Sequence, residues 1–362
     1  MNRRLLLTSL TSLAAFACGG RVELQDPVDQ PGRHHVGYRE AEFKYTPLGD
    51  SERTLRLAVW YPTDSTEGGE TKYLGVARPG VLSGAKPAGS NLPVLVFSHG
   101  RLAFAEASGF VGEYFASHGF VAIAPDHTGD TTVNLVDPLT TETFARRPQD
   151  LGAALDYLYN LPSNDSLAGK IGQEVIAVGH SFGGYTVFAA AGASFPLDPA
   201  SCSASMGPHD WCSTMTPALG ERFKAGFLDS RIWSLAAMAP GSADVLGPQG
   251  LGAITIPEML FTGGLDSVDG ARWFGPMSAG ALWVQLPKAS HNSFTDVCEL
   301  FPGVGGNDVC SPMALPAATL HPTMSTYLLA FARRSLFGDG AMSAILAGTS
   351  SVSPNASIQT HL

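Results

Sequence analysis

Short apolar runs recur along the middle of the chain and alternate with segments of helical spacing. Three runs, 93–97, 120–125 and 174–178, are apolar at nearly every position. Such strands are typical of a parallel sheet that is covered on both faces. Further strands are predicted at 54–61, near the sheet edge, and at 232–238, 256–261 and 281–286; helices are predicted at 104–118, 148–160 and 322–336. The alternation predicts an α/β fold with a mostly parallel sheet between layers of helices.

Two segments interrupt this alternation. Residues 62–91 are rich in Gly, Pro, Ser and Thr and are predicted to form a long surface loop. Residues 194–229 contain several prolines and two cysteines, and we interpret them as a cap inserted over the site. Because no linker is long enough to divide the chain, we predict one α/β domain over 51–340, an extension over 19–50 and a tail over 341–362.

The first 18 residues have the pattern of an export signal. Arg3 and Arg4 precede an apolar run over 5–17, which is too short to span a membrane. Two alternatives stay open for Cys18: ordinary cleavage beside it, or lipidation of its thiol after cleavage. We therefore expect an exported protein that is secreted, periplasmic or attached to the cell envelope by lipidated Cys18.

The other four cysteines fall into two local pairs, each within a loop. In an oxidising compartment this favours the disulfides Cys202–Cys212 and Cys298–Cys310, although four cysteines allow three pairings. Neither pair has the C-x-x-C spacing of zinc ligands, so no metal site is predicted there.

Composition narrows the class of protein further. Of the 362 residues 44% are hydrophobic and 15% are charged, which is enough for a large core. The formal net charge of −10 argues against a nucleic-acid partner and against charge-driven binding to anionic membranes.

The segment Gly179-His180-Ser181-Phe182-Gly183 carries the strongest chemical signal. It lies between the apolar strand 174–178 and an Ala-rich run at 184–191. A serine on such a sharp strand-to-helix turn has an exposed hydroxyl, and the flanking glycines leave room for the turn. We therefore predict that Ser181 is a nucleophile.

A serine hydroxyl needs a base, and the base needs an orienting acid. In this architecture the chain order is nucleophile, acid, base. His291 follows the strand 281–286 and is the predicted base, whereas His209 lies in the insert and His361 near the end of the sequence. The predicted acid is Asp266, just after the strand 256–261, with Asp269 as the alternative. Asp296 follows His291 in the chain and is interpreted as a loop-capping residue.

Negative charge on a reacting carbonyl oxygen requires fixed donors. We predict that the backbone N–H groups of Phe182 and Arg101 form this oxyanion hole, because Arg101 follows the strand 93–97 within Ser98-His99-Gly100-Arg101. The His99 side chain is predicted to be structural.

Several motifs recur together in a fixed order: Val96-Phe97-Ser98-His99-Gly100, Ala116-Ser117-His118-Gly119-Phe120-Val121, Ala124-Pro125-Asp126-His127-Thr128-Gly129-Asp130, Arg147-Pro148-Gln149-Asp150, Gly179-His180-Ser181-Phe182-Gly183-Gly184 and Ser290-His291-Asn292-Ser293-Phe294. Over about residues 90–300 the chain resembles the bacterial predicted dienelactone hydrolases and the related platelet-activating-factor acetylhydrolases, which are α/β-hydrolases. The resemblance implies the α/β-hydrolase fold, the triad Ser181, Asp266 and His291, an oxyanion hole from Arg101 and Phe182, and no metal or other cofactor.

Two departures limit what the resemblance implies. Relatives often have a small or apolar residue at the position of Arg101, and dienelactone hydrolases proper use a cysteine nucleophile. We therefore expect hydrolysis of a carboxylic ester through an acyl-serine intermediate, on short-acyl esters or lipids. The alternatives are a polyester hydrolase, an amide- or peptide-cleaving hydrolase, and a non-catalytic binding protein, which would usually lack one member of the triad.

Overall fold

The computed structural model describes residues 26–136, 139–196, 214–302 and 310–362. In this part of the chain one sheet has the strand order β11-β10-β9-β8-β7-β5-β6-β2-β1-β4-β3. The strands are β1 His35–Tyr45, β2 Arg53–Thr63, β3 Gly69–Tyr73, β4 Val76–Ser83, β5 Leu92–Ser98, β6 Val121–Pro125, β7 Ile171–His180, β8 Ile232–Met238, β9 Glu258–Gly263, β10 Leu282–Leu286 and β11 Ser357–Thr360.

The centre of the sheet is parallel, from β6 through β5, β7, β8 and β9 to β10. Its strands are buried on both faces: Val94 and Val96 of β5 belong to one core cluster, and Leu95 and Phe97 to the other. This explains why the central strands are continuous apolar runs. The prediction of an α/β fold with a mostly parallel sheet is confirmed.

Helices cover both faces. They are α1 Gly109–Ser117, α2 Thr141–Tyr159, α3 Phe182–Ala190, α4 Pro217–Ala225, α5 Ala243–Leu251, α6 Gly270–Phe274, α7 Val297–Leu300, α8 Ala317–Phe337 and α9 Ser343–Leu346. Apolar residues of α2 to α6 pack in one core cluster, and those of α1, α8 and α9 pack in the other. None of the helices in the described ranges is both long and apolar enough to cross a membrane.

The start of α2 differs from the prediction. Sequence rules favour Pro148 as the first residue of a helix, but α2 begins at Thr141 and continues through this proline. Proline has no N–H to donate to the carbonyl four residues earlier. The Tyr185 hydroxyl donates to that carbonyl, of Phe144, at 3.0 Å. A tertiary hydrogen bond thus replaces the missing one and lets the helix extend by two turns.

The sheet also extends beyond the predicted domain. Strand β1 lies in the predicted extension 19–50, and β11 lies in the predicted tail 341–362. The predicted loop 62–91 contains β3 and β4. Together with β1, which pairs with β2, they place β2 inside the sheet rather than near its edge. These outer strands carry many exposed polar residues, so no apolar run marks them.

The structure describes only one of the two predicted disulfides. Cys298 and Cys310 form the predicted disulfide, with 5.8 Å between their Cα atoms. The predicted export signal, Cys18 and the predicted pair Cys202–Cys212 lie outside the described residues.

Candidate active site

Ser181 occupies the sharp turn between β7 and α3. Its backbone angles are φ 54° and ψ −119°, a region that costs a non-glycine residue about 1–3 kcal/mol. The surrounding backbone holds this conformation: the Ser181 N–H donates to the Met238 carbonyl at 3.0 Å, and the Ser181 carbonyl accepts from Gly184 and Gly241. The turn places the hydroxyl at the carboxyl edge of the sheet.

The two glycines of the motif are required by close packing. A Cβ atom on Gly179 would lie 2.1 Å from the Gly183 carbonyl oxygen, and one on Gly183 would lie 1.9 Å from the Ser98 carbonyl oxygen. Both distances are far below any van der Waals contact. Strands β5 and β7 and helix α3 can therefore meet at the nucleophile only with glycine at these two positions.

The structure brings together the three residues that were predicted to form the triad. His291 Nε2 lies 2.8 Å from Ser181 Oγ, and His291 Nδ1 lies 2.8 Å from Asp266 Oδ2. The Asp266 side chain is buried, whereas the imidazole is partly exposed. With the proton on Nδ1 directed at Asp266, the lone pair on Nε2 is free to accept the proton of Ser181.

Local structure orients the acid and the base. Asp266 follows β9, and the Leu265 N–H donates to the Ala289 carbonyl at 3.0 Å, which joins the acid loop to the base loop. His291 begins a short 3-10 turn that is closed by a capping box between Ser290 and Ser293. Both side chains thus lie at fixed positions beyond the carboxyl ends of neighbouring strands.

The alternative acid has a different role in the structure. The Asp269 carboxylate accepts hydrogen bonds from the backbone N–H groups of Ala271 and Arg272, at 3.1 and 3.2 Å. It caps the N-terminus of α6. The structure therefore favours Asp266 over Asp269 as the partner of His291.

The predicted oxyanion loop lies directly against the nucleophile. A Cβ atom on Gly100 would lie 3.1 Å from Ser181 Cβ, so this glycine allows the loop to approach. Arg101 follows it, and Phe182 is the first residue of α3, whose N–H has no acceptor within the helix. The assignment of these two N–H groups to an oxyanion hole stays a prediction. The His99 ring is buried, and its Nε2 accepts the His127 N–H at 3.0 Å, in agreement with a structural role.

A pocket of about 690 Å³ opens above Ser181 and His291. Most of its walls are apolar, and they come from distant parts of the chain: Leu74, Leu102, Ala103, Phe104, Leu135, Val297 and Phe301. Leu102 and Leu135 are also 45% and 44% exposed, so apolar surface continues around the mouth. None of these residues was identified as a pocket residue from the sequence, because they come from separate segments that share no pattern.

The described part of the insert contributes nothing to this pocket. Residues 194–196 and 214–229 are absent from its walls. Instead, Phe195 packs against Phe223 and Phe227, on the flank formed by α3 and α4. The predicted cap function rests on 197–213, which lie outside the described residues.

His180 is a further residue of the site that the sequence did not single out. Its Nε2–H donates to the His291 carbonyl at 3.0 Å, so it holds the backbone of the base. Burial, with a smaller contribution from the neighbouring His291, lowers the pKa of His180 from 6.5 to about 3. Its ring therefore stays neutral over the range in which most enzymes work.

We expect His180 to make the stability of the protein depend on pH. Above pH 6.5 the ring is neutral in both the folded and unfolded states, so its contribution is fully present. As pH falls from 6.5 towards 3, only the unfolded state takes up this proton, and stability is lost at up to about 1.4 kcal/mol per pH unit. Denaturant unfolding of wild type and His180→Gln should show their difference in free energy of unfolding change by about 2 kcal/mol between pH 7 and pH 4.5. A constant difference would contradict the lowered pKa.

One cluster within the described ranges has the composition of a metal site. Ligand atoms of Asp296, Glu299 and His321 all lie within 4.8 Å of one another. Asp296, however, already accepts hydrogen bonds from the Phe110 N–H at 2.9 Å and from Arg78 at 3.3 Å. A cation would have to lie beside the Arg78 guanidinium, and we therefore assign no metal to this cluster.

The sheet topology and the strand-turn-helix at Ser181 are those of the α/β-hydrolase fold. A solved structure with the same fold is the ferulic acid esterase from Streptomyces cinnamoneus, which is 20% identical with a TM-score of 0.65, over 92% of this chain and 99% of that chain. Residues 72–143 match the family of platelet-activating factor acetylhydrolase, isoform II. A comparison with curated protein sequences finds no match. The α/β-hydrolase fold predicted from the resemblance is confirmed, and the two matches lie among ester hydrolases.

Proposed function

We propose that this protein hydrolyses carboxylic esters through an acyl-serine intermediate. The observation that supports this most directly is the hydrogen-bonded chain Ser181–His291–Asp266 at the base of an apolar pocket. The likeness to an acetylhydrolase family and to a ferulic acid esterase supports the same reaction class. The strained backbone at Ser181 supports the same proposal, because such strain is concentrated at active sites.

The geometry accounts for both halves of the reaction. His291 Nε2 takes the proton as Ser181 Oγ attacks the acyl carbon, and the carbonyl π electrons move to its oxygen. Collapse of this tetrahedral species breaks the ester C–O bond, and His291 gives its proton to the leaving alkoxide. Water then attacks the acyl-serine with the same imidazole as base, which releases the acid and restores Ser181. Buried Asp266 stabilises the imidazolium in each step.

The pocket favours an apolar group beside the scissile bond. Its mostly apolar walls and its volume of about 690 Å³ suit an acyl chain or an aromatic acid. Arg101 also lines the pocket, and its guanidinium Nε lies 3.7 Å from the Asp130 carboxylate. We propose short-acyl esters or lipids as substrates. Aryl acids are a second candidate, because Phe104 and Phe301 form an edge-to-face pair in the wall that leaves aromatic surface for stacking.

Covalent labelling and a substrate series test this proposal together. We expect a fluorophosphonate probe to modify Ser181 alone, as shown by peptide mapping, and labelling to disappear in His291→Ala. We also expect turnover of p-nitrophenyl acetate and p-nitrophenyl octanoate, with the ratio of kcat/KM reporting how long an acyl chain the pocket accepts. The rate at which methyl ferulate is hydrolysed, measured separately, tests aryl acids as the alternative substrates.

The outcomes of these assays distinguish an esterase from the alternative activities. Turnover of anilides at rates like those of the esters would indicate an amidase, and release of soluble products from a polyester film would indicate a polyester hydrolase. Absence of turnover on every ester, together with absence of labelling, would overturn the proposal.

A further inference from the structure

Beside the triad lies a buried ion pair that neither the triad nor the pocket uses. Arg147 of α2 and Asp130, which follows β6, are 1% and 3% exposed, and Arg147 Nη1 lies 2.7 Å from Asp130 Oδ2. We infer that this pair is a positioning device that holds both predicted donors of the oxyanion hole in place. The inference rests on the proposed function, since it concerns the transition state of ester cleavage.

The pair holds the loop that carries Arg101 from both sides. Arg147 Nη2 donates to the His99 carbonyl, immediately before Gly100. The Asp130 carboxylate lies beside the Arg101 side chain itself, with 3.7 Å between Asp130 Oδ1 and Arg101 Nε. One half of the ion pair therefore holds the backbone two residues before Arg101, and the other half contacts the Arg101 side chain.

The same guanidinium also reaches the second donor. Arg147 Nε donates to Thr186 Oγ1 at 3.0 Å, and the Thr186 hydroxyl donates to the Phe182 carbonyl at 3.0 Å. The guanidinium carbon lies 4.6 Å from the centre of the Phe182 ring. Arg147 thus connects the loop after β5 with the first turn of α3, and the two predicted N–H groups belong to these elements.

A second layer of buried polar groups surrounds this pair. His127 Nε2 lies 2.8 Å from Ser98 Oγ, and His127 Nδ1 lies 2.9 Å from Asp150 Oδ2. This trio has the composition of a catalytic triad, but all three side chains are fully buried, which excludes substrate. Burial lowers the pKa of His127 well below 6.5, so its ring is a neutral link that fixes Ser98 at the end of β5.

Burying the charges of Arg147 and Asp130 costs desolvation free energy, which suggests that the pair has a role beyond stability. Burial lowers the pKa of Arg147 and raises that of Asp130, which means that the fold takes two charges out of water at this point. Apolar residues of similar volume often stabilise a protein at least as well as a buried ion pair does. The planar guanidinium of Arg147 donates in three directions and can therefore fix several segments relative to one another. The segments around Asp130 and Arg147 are two of the motifs on which the family resemblance rests, and this role accounts for both.

Kinetics of Arg147→Met test the inference. We expect kcat for p-nitrophenyl acetate to fall by about 10²–10³-fold with KM within about threefold of wild type, because the donors act in the transition state. Affinity for a trifluoromethyl ketone of the same acyl length should fall by a similar factor, since its adduct places an oxyanion in the hole. A purely structural role would leave the inhibitor affinity of the folded variant unchanged.

Arg333→Met is the matched control. Arg333 is also nearly buried and lies 2.8 Å from Asp339 at the end of α8, outside the pocket. We expect it to lower the thermal midpoint as Arg147→Met does, but to keep the wild-type kcat and inhibitor affinity. If Arg147→Met does not fold, Thr186→Val breaks only the connection to Phe182 and should lower kcat about tenfold.

The results distinguish this inference from the proposed function. If wild type turns over esters and Ser181→Ala does not, while the folded Arg147 or Thr186 variant keeps kcat and inhibitor affinity within threefold, the positioning role is wrong and the esterase stands. If wild type turns over no ester, both fail together.

Discussion

Replacing Ser181 by alanine is expected to lower kcat/KM for p-nitrophenyl acetate by about 10⁶-fold and to leave the fold intact. The change removes the oxygen that lies 2.8 Å from His291 Nε2 and nothing else of the site. Alanine keeps the Cβ atom, so the backbone strain at position 181 is the same in both proteins. Steady-state kinetics and thermal unfolding on the same preparations measure the two effects.

The remaining activity of this variant is informative as well. A rate somewhat above that of buffer is expected, because substrate binding and the oxyanion donors remain. Fluorophosphonate labelling should be lost in parallel with turnover. Activity within tenfold of wild type would mean that another group is the nucleophile.

Asp266→Asn is expected to lower kcat by about 10⁴-fold. The Asn amide would donate to His291 Nδ1, where Asp266 now accepts, and the ring would then carry its proton on Nε2. In this tautomer Nε2 has no lone pair with which to accept the proton of Ser181. Steady-state kinetics on the variant and wild type measure this loss.

Asp269→Asn is the control for this experiment. Asparagine caps helices about as well as aspartate, so the hydrogen bonds to Ala271 and Arg272 can persist. We expect kcat to stay within about threefold of wild type. The reverse pattern, with a large loss only in Asp269→Asn, would show that the acid assignment is wrong.

Sequence patterns predicted the parts of this protein in which one physical demand determines the residue type. Continuous apolar runs such as 93–97 mark strands that are buried on both faces. The Gly179-x-Ser181-x-Gly183 motif marks a turn that permits no side chain at either flank. Chain order then led to His291 and to Asp266, and the structure places both beside Ser181.

Other features depend on contacts between distant residues, and no local pattern reveals them. The outer strands β1 and β4 are half-exposed and polar, so only pairing with their neighbours defines them. Helix α2 passes through Pro148 because Tyr185 supplies a hydrogen bond from another helix. The pocket wall contains both Leu74 and Phe301, which are far apart in the sequence. Arg147 is buried because its partners Asp130 and Thr186 come from other elements.

The backbone at Ser181 has a consequence for efforts to make this protein more robust. Glycine would adopt φ 54° without steric strain, so a search that rewarded thermal stability alone would favour Ser181→Gly and eliminate the reactive hydroxyl. Selection for thermal stability and selection for catalytic activity thus favour different residues at position 181. Stabilising substitutions should therefore be placed far from this turn, on surfaces that do not contact substrate.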